Sequence, residues 1–346
     1  MKIILLGKHS NRTPLSYPEY QRLSGFDISF YSEKSKIPTQ VDFIVTGFSI
    51  DIKSNAETIL NIQKNNPSSK VVVLSEEPLW DTLWSGDYSS KTSEIQHENQ
   101  IIKYYVLNHV TTNIFSFNKF PYFITTNNDF FVRYNSLFKQ NSLLSNKEIS
   151  TIWTNAKIRQ AFYAENRQGD KYQVSNRKFD IYGLSTFRSQ LAALSKEKNK
   201  LVMGSGWGEN KIRQKLPDWH LDKLASLNRN SFMVSALENT HQPFYITEKI
   251  FDSYAVLGIP LYYASKNHAI NQFLPHESYI NLYNQSPKEA SNKIKNFTTN
   301  THFIEQYRET QLFLSKLFSN PVEYQDERKK VLSKITKELE ALTHIS

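Results

Sequence analysis

The sequence contains no cysteine in 346 residues. That excludes disulfides, thiolate chemistry and Cys-containing zinc sites, and it suits a reducing compartment. No Asp-x-Asp pair occurs anywhere, and none of the nine histidines stands at metal-ligand spacing from another. Long apolar runs are missing too: nothing approaches the roughly 18 residues a membrane span needs. The apolar start Ile3–Leu6 is too short for a secretory signal, and Lys8 and His9 follow it where small cleavage-site residues would stand. The expectation is a protein made and kept in the cytoplasm, at most peripheral at the inner face of a membrane. There are no internal repeats and no low-complexity tract.

Aromatic residues, by contrast, are plentiful, with 19 Tyr and 22 Phe. Their first use is packing, and their second is stacking on sugars or bases. The length predicts two domains of about 150 residues each. The net charge of +9 is concentrated in the middle of the chain. Residues 151–230 hold fifteen Lys and Arg against seven Asp and Glu, whereas residues 321–346 hold five of each sign. A basic central region suggests an anionic ligand; nucleic acid or an acidic membrane would also be attracted.

Strand patterns fall at Lys2–Leu6, Phe26–Tyr31, Asp42–Thr46 and Lys70–Leu74. Between the last two, Ala56, Ile59 and Ile62 share one face of a helix over Asn55–Gln63, so a parallel sheet with crossover helices is expected. Residues 101–137 read as strands and long loops, and the polar stretch Gln140–Ser150 as a linker. A second alternating half follows. Thr151–Asn166 reads as a loop entering a helix, Lys178–Tyr182 as a strand and Ser189–Ser195 as a helix. Ser231–Leu237 reads as a strand, Glu248–Leu257 as a helix and Ile259–Tyr263 as a strand. From Val322 onward the spacing of Val331, Ile335 and Leu339 predicts a surface-packing helix. Two α/β halves place ligand sites at the C-terminal ends of their strands.

The most informative segment is Ser231–Pro260. A buried strand ends in Glu238 and Asn239, a loop with Pro243 follows, and Thr247 is placed to cap a helix. Gly258 and Pro260 end that helix. Lys249 stands in its first turn, where the helix dipole disfavours a cation by roughly 0.3–1 kcal/mol. A bound phosphate would remove the conflict, because amides, dipole and lysine would then face one anion. A solvated lysine paired with Glu248 is the other reading.

Glu238-Asn239-Thr240, Tyr245-Ile-Thr-Glu248-Lys249-Ile250 and Gly258-Ile-Pro260 together resemble the signature of the α-1,3/4-fucosyltransferases. The resemblance implies a GT-B type α/β fold, with two Rossmann-like domains facing across a cleft. Residues 1–145 would bind the acceptor, residues 150–320 the GDP-sugar, and 321–346 would form a C-terminal helix. It implies further that Glu248 holds the ribose, that Lys249 and Tyr245 contact the diphosphate side, and that Asn239 shapes the sugar pocket. Thr154-Asn155 followed by Arg159-Gln-Ala-Phe-Tyr163 is similar to the family's phosphate-binding arginine element, which nominates Arg159. Lys70–Leu74 followed by Ser75-Glu76-Glu77-Pro78 resembles the strand that ends in the family's general base. Alignment on Pro78 makes Glu76 the base, with Glu77 as the alternative.

The resemblance implies an inverting transfer of L-fucose from GDP-fucose to an acceptor glycan, in α-1,3 or α-1,4 linkage, without a metal or other cofactor. Arg159 and Lys249 would stabilise the departing GDP in place of a divalent cation. Two adjacent carboxylates raise one pKa, as a base requires. Trp80 or Trp84 could stack on the acceptor, or serve packing. The expected acceptor is a bacterial surface polysaccharide such as lipopolysaccharide or capsule, or its precursor. A transferase using another GDP-sugar is the alternative reading. A non-catalytic anion or nucleic-acid binder is the second, and no Lys/Arg run interleaved with aromatics supports it.

Overall fold

Short apolar runs flanked by polar turns give the strands on which the fold is built. The computed structural model describes residues 1–31, 38–208 and 216–344. Lys211, Arg213 and Lys215 of the basic central region lie outside the described residues. The chain divides into two compact units, residues 1–128 with 325–346, and residues 129–324.

The first unit opens with β1 (Lys2–Leu5), α1 (Pro18–Ser24), β2 (Asp27–Phe30) and β3 (Phe43–Thr46). Next come α2 (Ser49–Ser54), α3 (Ala56–Asn65), β4 (Lys70–Leu74), α4 (Pro78–Trp84), β5 (Thr92–His97) and β6 (Gln100–Leu107). The sheet runs β2-β1-β3-β4-β6-β5 and is parallel except for β5. Strand side chains alternate between faces. Ile4, Ile44 and Val73 therefore pack with Ile52, Ile59 and Ile62 of α2 and α3. On the other face Ile3, Val45 and Val72 meet Val331, Ile335 and Leu339 from the end of the chain.

The second unit begins with α5 (Asn128–Asn141), α6 (Asn146–Asn155), β7 (Ile158–Tyr163), β8 (Ser175–Asn176) and β9 (Ile181–Gly183). It continues through α7 (Ser185–Leu194), β10 (Lys200–Met203), α8 (Trp219–Leu227), β11 (Ser231–Ser235) and β12 (Thr240–His241). Then follow α9 (Glu248–Ala255), β13 (Ile259–Tyr262), α10 (Ile270–Phe273), β14 (Ile280–Asn281), α11 (Pro287–Asn296) and α12 (Thr301–Phe318). A fully parallel sheet runs β10-β7-β11-β13-β14, and β12-β9-β8 form a small antiparallel one. The last helix, α13 (Pro321–Thr343), carries the chain back into the first unit. Both units are thus α/β with predominantly parallel main sheets.

Three local expectations fail for identifiable reasons. Gln140–Ser150 is not an extended linker. α5 runs through Asn141, and Ser145 with Glu148 forms a capping box that starts α6. Consequently Thr151–Asn166 is the end of a helix followed by a strand, not a loop entering a helix, and β-favouring Ile158, Phe162 and Tyr163 sit in β7. The division between units accordingly falls at residues 128 and 129, and residues 325–346 belong to the first unit because their apolar stripe fills its core.

Gly258 is also not the left-handed residue after α9. Leu257 takes that conformation, at φ 61°, while a Cβ on Gly258 would lie 2.5 Å from Val234 Cγ2. Gly258 is required for close approach of the helix exit to β11. Among the described residues, no helix is long and apolar enough to cross a membrane.

Candidate functional site

In the second unit β11 leads directly into Glu238 and Asn239 at the C-terminal edge of the parallel sheet, and α9 starts nine residues later. Thr247 has the extended backbone of an N-cap, but its hydroxyl makes no capping bond. Instead Glu238 reaches the start of the helix. Its carboxylate accepts from Thr247 N–H at 2.9 Å, from Thr247 Oγ1 at 2.7 Å and from Lys249 Nζ at 2.9 Å. Lys249 also donates to Thr247 Oγ1 at 2.7 Å and lies 3.5 Å from Glu248 Oε1. The cation at the wrong end of the dipole is therefore matched by an internal anion, which the dipole favours there.

Burial dominates the electrostatics. It raises the Glu238 carboxyl above its ordinary range, with Lys249 opposing. Burial would lower Lys249, but Glu238 and Glu248 more than offset this and raise it. Arg188, on α7, is pushed down to about 10 by burial and then by Arg167, while Glu238, Tyr245 and Glu165 pull the other way. It stays charged at neutral pH. The α7 entrance is fixed to the same strand end: Asn239 O accepts from Leu184 N–H at 2.9 Å and from Ser185 Oγ at 3.3 Å.

Arg188 Nε, Asn239 Oδ1 and Tyr262 OH are buried without a hydrogen-bond partner among the described residues. Buried polar atoms are usually paired, and a bound ligand or an ordered water would supply the partner these three lack.

The helix itself is held rigidly. Asp252 on α9 is wholly buried, and Tyr134 OH, His220 Nε2 and Lys223 Nζ contact it at 2.6, 2.7 and 2.8 Å. Burial acts to raise this carboxyl, but Lys223 and His220 hold it well below the usual range. His220 thus has a structural role. Tyr134 OH also donates to Glu248 O at 3.3 Å, tying the first turn to α5.

Of the residues named from the sequence, Asn239, Tyr245, Glu248 and Lys249 come together here. Tyr245 is buried and shares electrostatic contact with Arg188. Arg159 does not join them. It stands at the beginning of β7, donates to Trp153 O at 2.8 Å and lies 4.0 Å over the Phe232 ring. From Phe232 to Glu238 is roughly 20 Å of extended chain at about 3.3 Å per residue, beyond one side chain's reach. Arg159 therefore belongs to the opposite edge of the same sheet. Thr154-Asn155 ends α6, so the element that nominated it is a helix end and strand start, not a loop entering a helix.

In the first unit, Glu76 and Glu77 follow β4 at the C-terminal edge of its sheet. Glu76 is buried, and accepts from Tyr17 OH at 2.8 Å and Tyr122 OH at 2.6 Å, with Arg12 Nε 3.4 Å away. Burial raises its pKa, Arg12 works against this, and Glu77 adds to the rise. Burial also keeps the Tyr17 and Tyr122 hydroxyls protonated as donors. Glu77 is half-buried, takes the other arm of Arg12, and occupies the N-cap position of α4.

One turn of α4 brings Trp80 and Trp84 into a stack with centroids 4.3 Å apart. His9 lies 5.2 Å from Trp84, and its Nδ1 is 3.0 Å from Asp51 Oδ1. Each tryptophan is half-buried, so the pair combines packing with an open edge. The strand-end rule would have directed attention to Arg12, in the loop after β1, and to His109 after β6. His109 Nε2 lies 3.1 Å from Glu76 O. Arg188 and Tyr122 carried no such signal, because their roles depend on helix and loop packing.

Residues 188–339 match a family model described as glycosyltransferase family 10 (fucosyltransferase), C-terminal. None of the curated proteins matches the chain. Solved structures of an alpha1,3-fucosyltransferase are similar over nearly the whole length. One matches at 17% identity with a TM-score of 0.48, covering 100% of this chain and 92% of the other. An alpha1,3-fucosyltransferase structure with GDP-fucose matches at 16% identity and a TM-score of 0.44, and one with GDP at 15% and 0.45, each covering 98% of this chain and 90% of the other.

Proposed function

We propose, from the match of residues 188–339 to the glycosyltransferase family 10 model, that the chain is a fucosyltransferase of that family, transferring L-fucose from GDP-fucose to a hydroxyl of an acceptor glycan with inversion. The observation that carries the reading is the cluster of Lys249, Arg188, Glu238 and Asn239 at one strand-end edge, all within the matched residues. Arg188 takes the place first given to Arg159. It is the buried guanidinium that faces Glu238 and Tyr245, and a planar fork suits a diphosphate. The start of α9, with Lys249, adds a second cation, while Glu248 is placed for the ribose and Asn239 for the sugar.

In the reaction the acceptor oxygen attacks the anomeric carbon from the face opposite the diphosphate. The bond from that carbon to the GDP oxygen breaks, and the acceptor proton passes to a carboxylate. Glu76 is our choice for that carboxylate: burial raises its pKa, and two tyrosine hydroxyls and Arg12 hold it in place. Glu77 is the other candidate. Trp80 and Trp84 would offer an aromatic edge to the acceptor sugar. The charge on the departing GDP falls to Arg188 and Lys249, so no metal is required. The chain's lack of any Asp-x-Asp pair supports this. The acceptor in this reading is a lipopolysaccharide or capsule precursor, met in the cytoplasm.

A donor panel tests the proposal. GDP-fucose, GDP-mannose and UDP-sugars are incubated with the protein in EDTA, and free nucleotide and glycan product are measured. Preferential turnover of GDP-fucose is expected. Turnover of a different GDP-sugar alone would keep the nucleotide site and replace the sugar.

A further inference from the structure

Arg159, excluded from the nucleotide cluster by its position, lines a cavity of about 480 Å³ between α7 and α11. Lys196, Lys288 and Lys295 line the same cavity, whose floor includes Phe232 and Ile294. Glu197 is the only carboxylate among the lining residues, which leaves an excess of positive charge. Lys288 and Lys295 are seven residues apart on α11, two helical turns, and so share a face.

The guanidinium of Arg159 is preorganised. One arm donates to Trp153 O at 2.8 Å, and its plane lies 4.0 Å over Phe232. No carboxylate pairs with it, or with any of the three lysines, among the described residues. By contrast, the cations that hold the fold together, such as Lys223 on Asp252, are paired with acids.

A fixed guanidinium with unused donors, three exposed lysines and an apolar floor is the complement of an amphiphile with an anionic head. We propose that this cavity binds a phosphate-bearing amphiphile: Arg159 and the lysines hold the phosphate, and Phe232 and Ile294 contact the apolar portion. A planar fork matches phosphate oxygens in pairs, and the lysines add point charges. The site lies at the strand-start edge of the second unit's sheet, so it is separate from the nucleotide cluster and does not depend on the donor assigned to it. Such a ligand could be a phospholipid headgroup in a membrane or a monomeric lipid phosphate.

The experiment titrates octyl phosphate, by calorimetry, into protein saturated with GDP. Octyl glucoside and inorganic phosphate serve as controls for tail and head alone. Binding of octyl phosphate tighter than either control is expected, with a loss of about tenfold or more in Lys288→Glu/Lys295→Glu and in Arg159→Gln. The double lysine variant changes exposed side chains, so its GDP affinity should remain that of the wild type and certify its fold.

Sedimentation with phosphatidylglycerol vesicles, against phosphatidylcholine vesicles, separates the sources. Charge-dependent sedimentation of the wild type, lost in the double variant, identifies a membrane headgroup. Octyl phosphate binding without sedimentation identifies the monomeric ligand. The proposal is overturned if octyl phosphate fails to bind, if either control binds as tightly, or if the double variant binds like the wild type.

Discussion

Glu238 and Lys249 are joined by a 2.9 Å charge-assisted hydrogen bond at the start of α9, with the carboxylate also accepting from Thr247. One buried residue thus caps the helix and neutralises a lysine that the helix dipole would otherwise disfavour. Removing only the lysine leaves a buried carboxylate uncompensated, a change that costs about 3–5 kcal/mol for a fully buried pair. Lys249→Met should therefore lower the melting temperature clearly, and Glu238→Gln added to it should recover much of the loss. Thermal unfolding of the two variants checks this. Additive destabilisation would show that the pair does not act as a unit.

The two carboxylates after β4 are distinguishable by kinetics. Glu76→Gln should lower kcat about 10²-fold or more, the usual scale for a lost general base, with little change in GDP affinity. Glu77→Gln should cost much less. Because burial raises the Glu76 pKa, activity should fall as pH drops through a value above the ordinary glutamate range. The reverse ranking of the two variants would move the base to Glu77.

Asp81 on α4 provides an internal pH gauge for the first unit. Burial raises its carboxyl to about 7, against a bonding contribution from Ser75 and with a further rise from Glu77. The folded protein then binds a proton that the unfolded chain has released between about 4 and 7. Stability linked to Asp81 is present below the unfolded pKa and is lost as pH rises through about 7. Asp81→Asn should raise the melting temperature at pH 8 and change it little at pH 4. An equal effect at both values would mean that the carboxyl does not titrate in this range.

Much of the sheet architecture was legible because strands such as Phe43–Thr46 and Lys70–Leu74 are buried on both faces and read as continuous apolar runs. The α9 cluster was legible through one misplaced charge, Lys249. Its partner was harder to foresee: spacing suggested Glu248 or a ligand, whereas folding brings Glu238 from eleven residues upstream. Arg159 misled because composition around it cannot tell which end of a parallel strand it occupies. Ser145-x-x-Glu148 was a readable cap that shifts α6 and β7, and with them Arg159, into register. Arg188 was invisible in the pattern because its importance comes from burial beside Glu238 and Tyr245.

Calorimetric titration of GDP in EDTA, compared between wild type, Arg188→Ala, Lys249→Ala and Arg159→Ala, tests the donor site most directly. Loss of a charge-assisted contact costs about 1.5–3 kcal/mol, or roughly ten- to more than a hundredfold in affinity. The account predicts metal-free GDP binding by the wild type, weakening on that scale for Arg188→Ala and Lys249→Ala, and wild-type affinity for Arg159→Ala. Weakening confined to Arg159→Ala, or GDP binding that requires an added divalent cation, would contradict it.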